Sequence, residues 1–277
     1  MNTALRSLAL LSLTATAVTV QAADAIVVDP KLPADAVASG VSQVGPMSRE
    51  MKSSEISAFA AKFGHKPTRI AVAIDALAVF VHKDNPVAGL SLTQVDGIFS
   101  STRKRGGQDA LTWGALDQKG ALAGKTISSF GRNSASGTYG YFKEVALKNG
   151  DFKDTIKEQP GSSSVVQGIA ADVGAIGYSG IGYATSGVRA VPLAVEGTSF
   201  VEPNYANCLN GSYPLSRYLY VYVNKAPSRP MDKLTSEFIT FVLSKQGQEI
   251  VIKDGYFPLP ADVADEGRAS LKFYSAE

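Results

Sequence analysis

Cysteine is nearly absent: Cys208 is the one thiol in 277 residues, so no intrachain disulfide can form. Histidine is almost as scarce. His65 and His82 are the only two, which leaves little from which to build a zinc site or a Ser/His dyad. Nor is there an excess of one charge. Lys+Arg number 27 against 25 Asp+Glu, and a net charge of +2 argues against a general nucleic-acid binder. The one Gly-Lys-Thr triplet, Gly124-Lys125-Thr126, does not complete a glycine-rich phosphate loop, since Lys119 stands where the loop's first glycine would be, and no Gly-x-Ser-x-Gly elbow occurs, so a nucleotide P-loop and a hydrolase elbow are both missing. What is present suits a buried α/β core: 45% hydrophobic and 19% charged residues, with 26 Gly and 13 Pro to make turns.

The one extended apolar run without strand character is at the front. Residues 1–22 carry a single positive charge at Arg6, an apolar stretch from Leu8 to Val20, and small side chains around Ala22, the pattern of a secretory signal peptide. The stretch is interrupted by Ser and Thr and is shorter than the roughly 20 residues a membrane span needs. Removal of Arg6 with the leader takes the net charge from +2 to +1, and the product is expected to be exported and soluble.

From Ala23 to Gln43 the chain is broken by Pro30, Pro33 and Gly40 and reads as an extended arm. Apolar spacing predicts a helix over 50–63, capped by Ser53 or Ser54 and stopped at Gly64. Residues 70–81 read as a buried strand whose only charge is Asp75, and a charge there needs a reason. A helix over 91–100, capped at Ser91 or Thr93, leads to a basic loop, Arg103-Lys104-Arg105, expected to be solvated, with a minor partner surface as the other reading. A strand over 126–130, a helix over 138–147, a second strand-turn-helix around 161–171, strands over 175–178 and 217–223, and a largely helical 231–253 complete an α/β alternation.

Between the strand at 126–130 and the helix that follows, residues 132–138 gather Arg132, Ser134, Ser136, Gly137 and Thr138. Free backbone N–H groups and partial positive charge at a helix start, a glycine that admits close approach, hydroxyls and a guanidinium all suit a tetrahedral oxyanion such as phosphate or sulfate. The same Ser and Thr also serve as ordinary caps, and that alternative stands beside the first. Ser136 as a hydrolase nucleophile is a weaker third reading, since neither a base nor a metal set accompanies it.

Seven segments, SREMKSSEI, AIDALAVFVHKDNP, IFSSTRKRGG, GRNSASGTYGYF, GAIGYSGIGY, YPLSRYLYVYVNK and VLSKQGQEIVIKDGYFPLP, in that order, resemble the PstS-like phosphate-binding proteins of bacterial ABC transporters. The resemblance covers residues 44–260. It implies a two-lobed type II periplasmic binding protein fold, with residues 23–80 and 222–277 in one lobe and 81–221 in the other. It implies inorganic phosphate as ligand, a membrane permease as partner, a periplasmic monomer, and neither cofactor nor enzymatic activity. The family's anion loop falls on Arg132, Ser136, Gly137 and Thr138. At the family's proton-accepting Asp this chain has Ser48, which leaves Asp75 as the best acceptor, or else as a turn or cap carboxylate. The chain also passes from Ser42 to Val44 without the βαβ-sized unit, roughly 30 residues, that precedes this segment in the family. A first lobe made incomplete in this way predicts weakened affinity, and the rival expectation is a truncated paralogue with a surface, adhesion or structural role.

Overall fold

The computed structural model describes residues 37–227 and 229–271, and the expected leader and most of the arm to Gln43 lie outside them. One strand organises the rest. Apolar and β-branched for most of its 15 residues, β2 (Thr68–His82) extends about 50 Å at roughly 3.3 Å per residue. Its first half, Thr68 to Ala76, runs antiparallel to β9 (Ser216–Val223), whose other edge is taken by β1 (Val44–Met47). From Leu77 onward β2 pairs instead with β6 (Ala175–Gly180) and β7 (Val188–Ala190), and β4 (Ser128–Arg132) and β5 (Lys157–Gln159) continue in parallel beyond β6. The strand order is therefore β1-β9-β2-β6-β4-β5, with β7 also on β2 and a separate parallel pair, β3 (Leu90–Ser91) with β8 (Leu193–Ala194). Asp75 faces Arg217 and Leu77 faces Gly180, so β2 changes partner within two residues of its interior charge.

Where the arm was expected to be extended, residues 37–39 are helical. Later in the chain the sheet is covered by α1 (Ser53–Phe63), α2 (Leu92–Phe99), α3 (Gly137–Val145), α4 (Ser162–Ala170), α5 (Tyr205–Leu209), α6 (Lys233–Val242), α7 (Lys245–Lys253) and α8 (Ala261–Ser270). Ala76 to Val81 are fully buried, the state expected of a strand covered on both faces. Ala78 and Phe80 cluster with Val165, Val166 and Ile169 of α4. On the opposite face Phe142 of α3 stacks on Tyr178 at 3.9 Å between centroids, and Phe99 of α2 meets Phe142 edge-on at 5.2 Å. Toward the other end of β2 the same core continues through Val44, Ile70, Val221 and Val223 to Ile239 of α6 and Ala264 of α8, while Met47, Met51 and Tyr222 pack separately with Ile56 of α1.

Local signals explain most boundaries. Ser91 Oγ accepts from Gln94 N at 3.2 Å and Gln94 Oε1 accepts from Ser91 N at 2.9 Å, a reciprocal cap that starts α2 as expected. Three further expectations are corrected. The cap position of α1 is Lys52 rather than Ser53 or Ser54, because the Glu55 carboxylate already accepts from Lys52 N at 2.6 Å. The helical stretch 231–253 is two helices, since Ser244 Oγ accepts from Gly247 N and restarts the chain as α7. The basic run is tied down rather than merely solvated: Lys104 Nζ donates to Asn149 O at 2.9 Å, and Arg105 donates to Ala146 O and Val145 O, each at 2.6 Å, at the end of α3.

Candidate functional site

Two strand ends deliver two helix starts to the same place. β4 ends at Arg132, two residues later than its apolar pattern suggested, and the chain turns through residues 133–135 before Ser136 caps α3. β5 ends at Gln159, and Ser162 opens α4 after Pro160 and Gly161. The Arg132 guanidinium bridges them, with Nη1 donating to Ser162 Oγ at 2.9 Å and Nη2 to Pro160 O at 3.2 Å. Its Nε is buried without a hydrogen-bond partner.

Across from these helix starts lies the β2–β9 pair. Arg217 Nη2 and Nε donate to Asp75 Oδ2 at 3.0 and 3.1 Å, and the two side chains are only 8% and 5% exposed. The guanidinium lies 4.4 Å from the centre of the Tyr141 ring, whose hydroxyl donates to Ser216 O at 2.8 Å. One oxygen, Asp75 Oδ1, and one nitrogen, Arg217 Nη1, remain buried and unpartnered. Removing two charges from water costs several kcal/mol per ion and a single shared contact does not fully offset it, so a half-satisfied buried pair is informative.

Arg132 and the Asp75–Arg217 pair line one cleft of about 380 Å³, together with Ser48, Thr138 and Ser162. Here the structure brings together four of the six residues singled out in the sequence: Arg132, Thr138, Ser48 and Asp75. Gly137 and Ser136 adjoin it. At Gly137 a β-carbon would collide with Ser48 Oγ, so the glycine is what lets the loop after β1 touch the start of α3. Ser136 Oγ accepts from Thr138 N at 3.1 Å, so this hydroxyl does act as a cap, the alternative weighed against anion binding. Asp75 is neither a turn nor a cap carboxylate, because it sits mid-strand.

Arg217 and Ser162 were not identified from the sequence. Arg217 did carry a signal: it is the lone charge in an aromatic and β-branched strand, as Asp75 is in its own. Ser162 carried none beyond a place at a helix start. In charge terms the cleft holds two guanidiniums and two helix N-termini against one carboxylate, which favours an anion. Burial pushes the Tyr141 and Tyr256 hydroxyls up to about 12, so these phenols stay neutral. The unpartnered atoms are two donors and one acceptor, the complement of an oxyanion that still carries a proton.

A family profile for the PBP superfamily domain matches residues 34–246. The phosphate-binding protein PstS of Pseudomonas aeruginosa is 58% identical over 238 residues, spanning 85% of this chain and 74% of that protein. Among solved structures, a Clostridium perfringens protein assigned as a phosphate ABC transporter substrate-binding protein, with phosphate bound, superposes with a TM-score of 0.66 at 26% identity, covering 83% of this chain and 84% of its own. A Vibrio cholerae ABC-type phosphate transport receptor superposes with a TM-score of 0.65, and at 22% identity that likeness speaks to the fold alone.

Proposed function

This chain belongs to the PstS-like family of phosphate-binding proteins within the PBP superfamily, and from that premise we propose that it captures inorganic phosphate in the cleft between α3, α4 and the β2–β9 pair. It is a phosphate-binding solute-binding protein, not an enzyme. In this reading Arg132 and Arg217 donate to the charged oxygens, and Thr138, Ser48 and the start of α3 at Ser136 and Gly137 add neutral donors. Asp75 Oδ1 accepts the proton that phosphate keeps at neutral pH. The observation that carries the reading is the set of three buried unpartnered atoms, Arg132 Nε, Arg217 Nη1 and Asp75 Oδ1, in residues that line one cleft. Each such group costs about 1–3 kcal/mol while unsatisfied, so a ligand that meets all three is favoured.

The finer parts of the proposal concern context. The chain is exported to the periplasm after cleavage near Ala22, acts as a monomer, and passes phosphate to the permease of an ABC importer. The lobes are residues 23–80 with 222–277, and residues 81–221. The change of partner along β2 near Asp75 supports the first boundary, while the pairing of β9 with β1 and the first half of β2 favours a second boundary before Ser216 rather than at 221. Thermal melting with and without phosphate tests the reading. At a hundred times its dissociation constant phosphate adds about 2.7 kcal/mol, a rise of roughly 5–10 °C for a domain of this size, and Arg132→Ala removes the rise.

A second reading, a surface or structural role without transport, is favoured by one feature. Leu234, Phe238 and Phe241 of α6 are 42%, 38% and 46% exposed on one stripe, and the outer edge of β1 has no strand partner among the described residues. A folded protein whose melting ignores phosphate supports that role instead.

A further inference from the structure

We propose that the same cleft also takes phosphate monoesters with a compact apolar substituent, the phosphoryl group seated among Asp75, Arg132 and Arg217 and the substituent lying along Val72, Leu219 and Val221. The inference rests on the phosphate reading above, since it uses the same polar end. Its own basis is the shape and lining of the remainder. A cleft of about 380 Å³ falls in the range of small-molecule sites, and a bare tetrahedral ion needs only part of it. The polar groups are gathered where Asp75 faces Arg217. From there β9 alternates faces, so Arg217, Leu219 and Val221 follow one another on one side at about 7 Å intervals, and all three line the cleft.

Val72 completes this floor for a backbone reason. The β2–β9 register moves from Ala71 opposite Tyr220 to Ala73 opposite Leu219, which makes Val72 the extra residue of a β-bulge, and bulges re-aim side chains beside binding sites. None of the three floor side chains carries a donor or acceptor, and Pro46 and Met47 extend the apolar lining, while Tyr183, Tyr220 and Tyr256 add ring faces with a hydroxyl at the edge. That surface is suited to an alkyl or aryl group rather than to a second charged ligand.

The carboxylate sets a condition on such a ligand. A monoester loses its second proton near pH 6, whereas inorganic phosphate keeps one well above neutrality, so Asp75 Oδ1 receives a proton from the ester only in its monoanionic form. The charged and titratable groups around Asp75 include Arg217 and Tyr220 on β9, Arg132 on β4, Tyr141 on α3, Cys208 on α5, Tyr183 after β6, and Tyr213 and Tyr256 from flanking loops. Burial holds Tyr141 and Tyr256 up at about 12 and Cys208 at about 11, and pushes Tyr213 well above its ordinary value. These four groups therefore keep their protons between pH 6 and pH 8, the range in which the ester loses its second proton.

The test is calorimetric titration of the full chain with inorganic phosphate and with phenyl phosphate at pH 6 and pH 8, for the parent and for Val72→Phe, which fills the apolar end. Phenyl phosphate is expected to displace phosphate one for one at pH 6 and to bind at least tenfold more weakly at pH 8. Val72→Phe is expected to weaken the ester at least tenfold and phosphate less than twofold. If Val72→Phe fails to fold, Leu219→Ser, which removes apolar surface without adding bulk, gives the same split. Phosphate binding without competition by phenyl phosphate at pH 6, or ester binding untouched by both variants, overturns this inference and leaves the phosphate reading standing. Failure of both ligands overturns both.

Discussion

In the proposed site Asp75 is the residue that would set selectivity between phosphate and sulfate. Its two oxygens differ: Oδ2 accepts from Arg217, and Oδ1 is buried without a partner, the atom proposed above to accept the ligand's proton. Sulfate has no proton to give at neutral pH, so against Oδ1 it would set oxygen lone pairs against oxygen lone pairs, the kind of repulsion by which sites reject wrong partners. A hydrogen bond to a charged group contributes about 1.5–3 kcal/mol, a factor of roughly 10–150 in affinity. Asp75→Asn keeps the shape, puts an amide where one oxygen was, and removes the charge. The expected result is phosphate binding weaker by that factor and sulfate binding stronger, measured by titration of both anions, with unchanged far-ultraviolet dichroism showing that the Arg217 contact has not been lost with the fold. Cys208 plays no comparable part. It is buried, and burial raises its thiol to about 11, well out of the reactive range.

At the scale of elements, α3 is held at both ends. Its start is positioned by the Ser136 cap and by the contact of Gly137 with Ser48. Its end is held by Arg105, whose guanidinium donates to the Val145 and Ala146 carbonyls while its backbone N donates to Asp96 Oδ2 at 2.8 Å. A cation at a helix C-terminus complements the dipole as well as the open carbonyls. Arg105→Ala is expected to cost about 1–3 kcal/mol in urea unfolding and to leave phosphate affinity within a few-fold, because the anion end of the helix is untouched. The basic run illustrates what a local pattern conveys: Lys104 and Arg105 read as solvated because their carbonyl partners lie 40 to 45 residues onward, whereas Arg103 donates to nearby Ser101 O. Segments with their own signals were legible, among them the Ser91 cap of α2, the buried run of β2 and the donor-rich start of α3. The break at Ser244 was missed because apolar spacing continues across it, and Arg217 was missed because its meaning comes from Asp75, 142 residues away.

For the whole molecule the organising fact is that one long strand carries both sheet segments and places the buried ion pair where they meet. Elements from both segments then touch at the cleft. Ser48 meets Gly137 on one side, and on another the backbones of Gly182 and Gly255 approach too closely for a β-carbon, next to Tyr183 and Tyr256 in the cleft lining. The fold class and the family were legible from ordered segments spread along the chain. The convergence of Arg132, Arg217 and Asp75 was only partly so, since it depends on pairings between strands far apart in sequence. Together these three side chains are proposed to form a site for an oxyanion bearing one proton. The decisive measurement is isothermal titration of the full chain at neutral pH, with phosphate and then with sulfate. One-to-one phosphate binding with sulfate at least tenfold weaker is the predicted result; equal affinity for the two anions, or no phosphate binding by a protein that melts cooperatively, would contradict it.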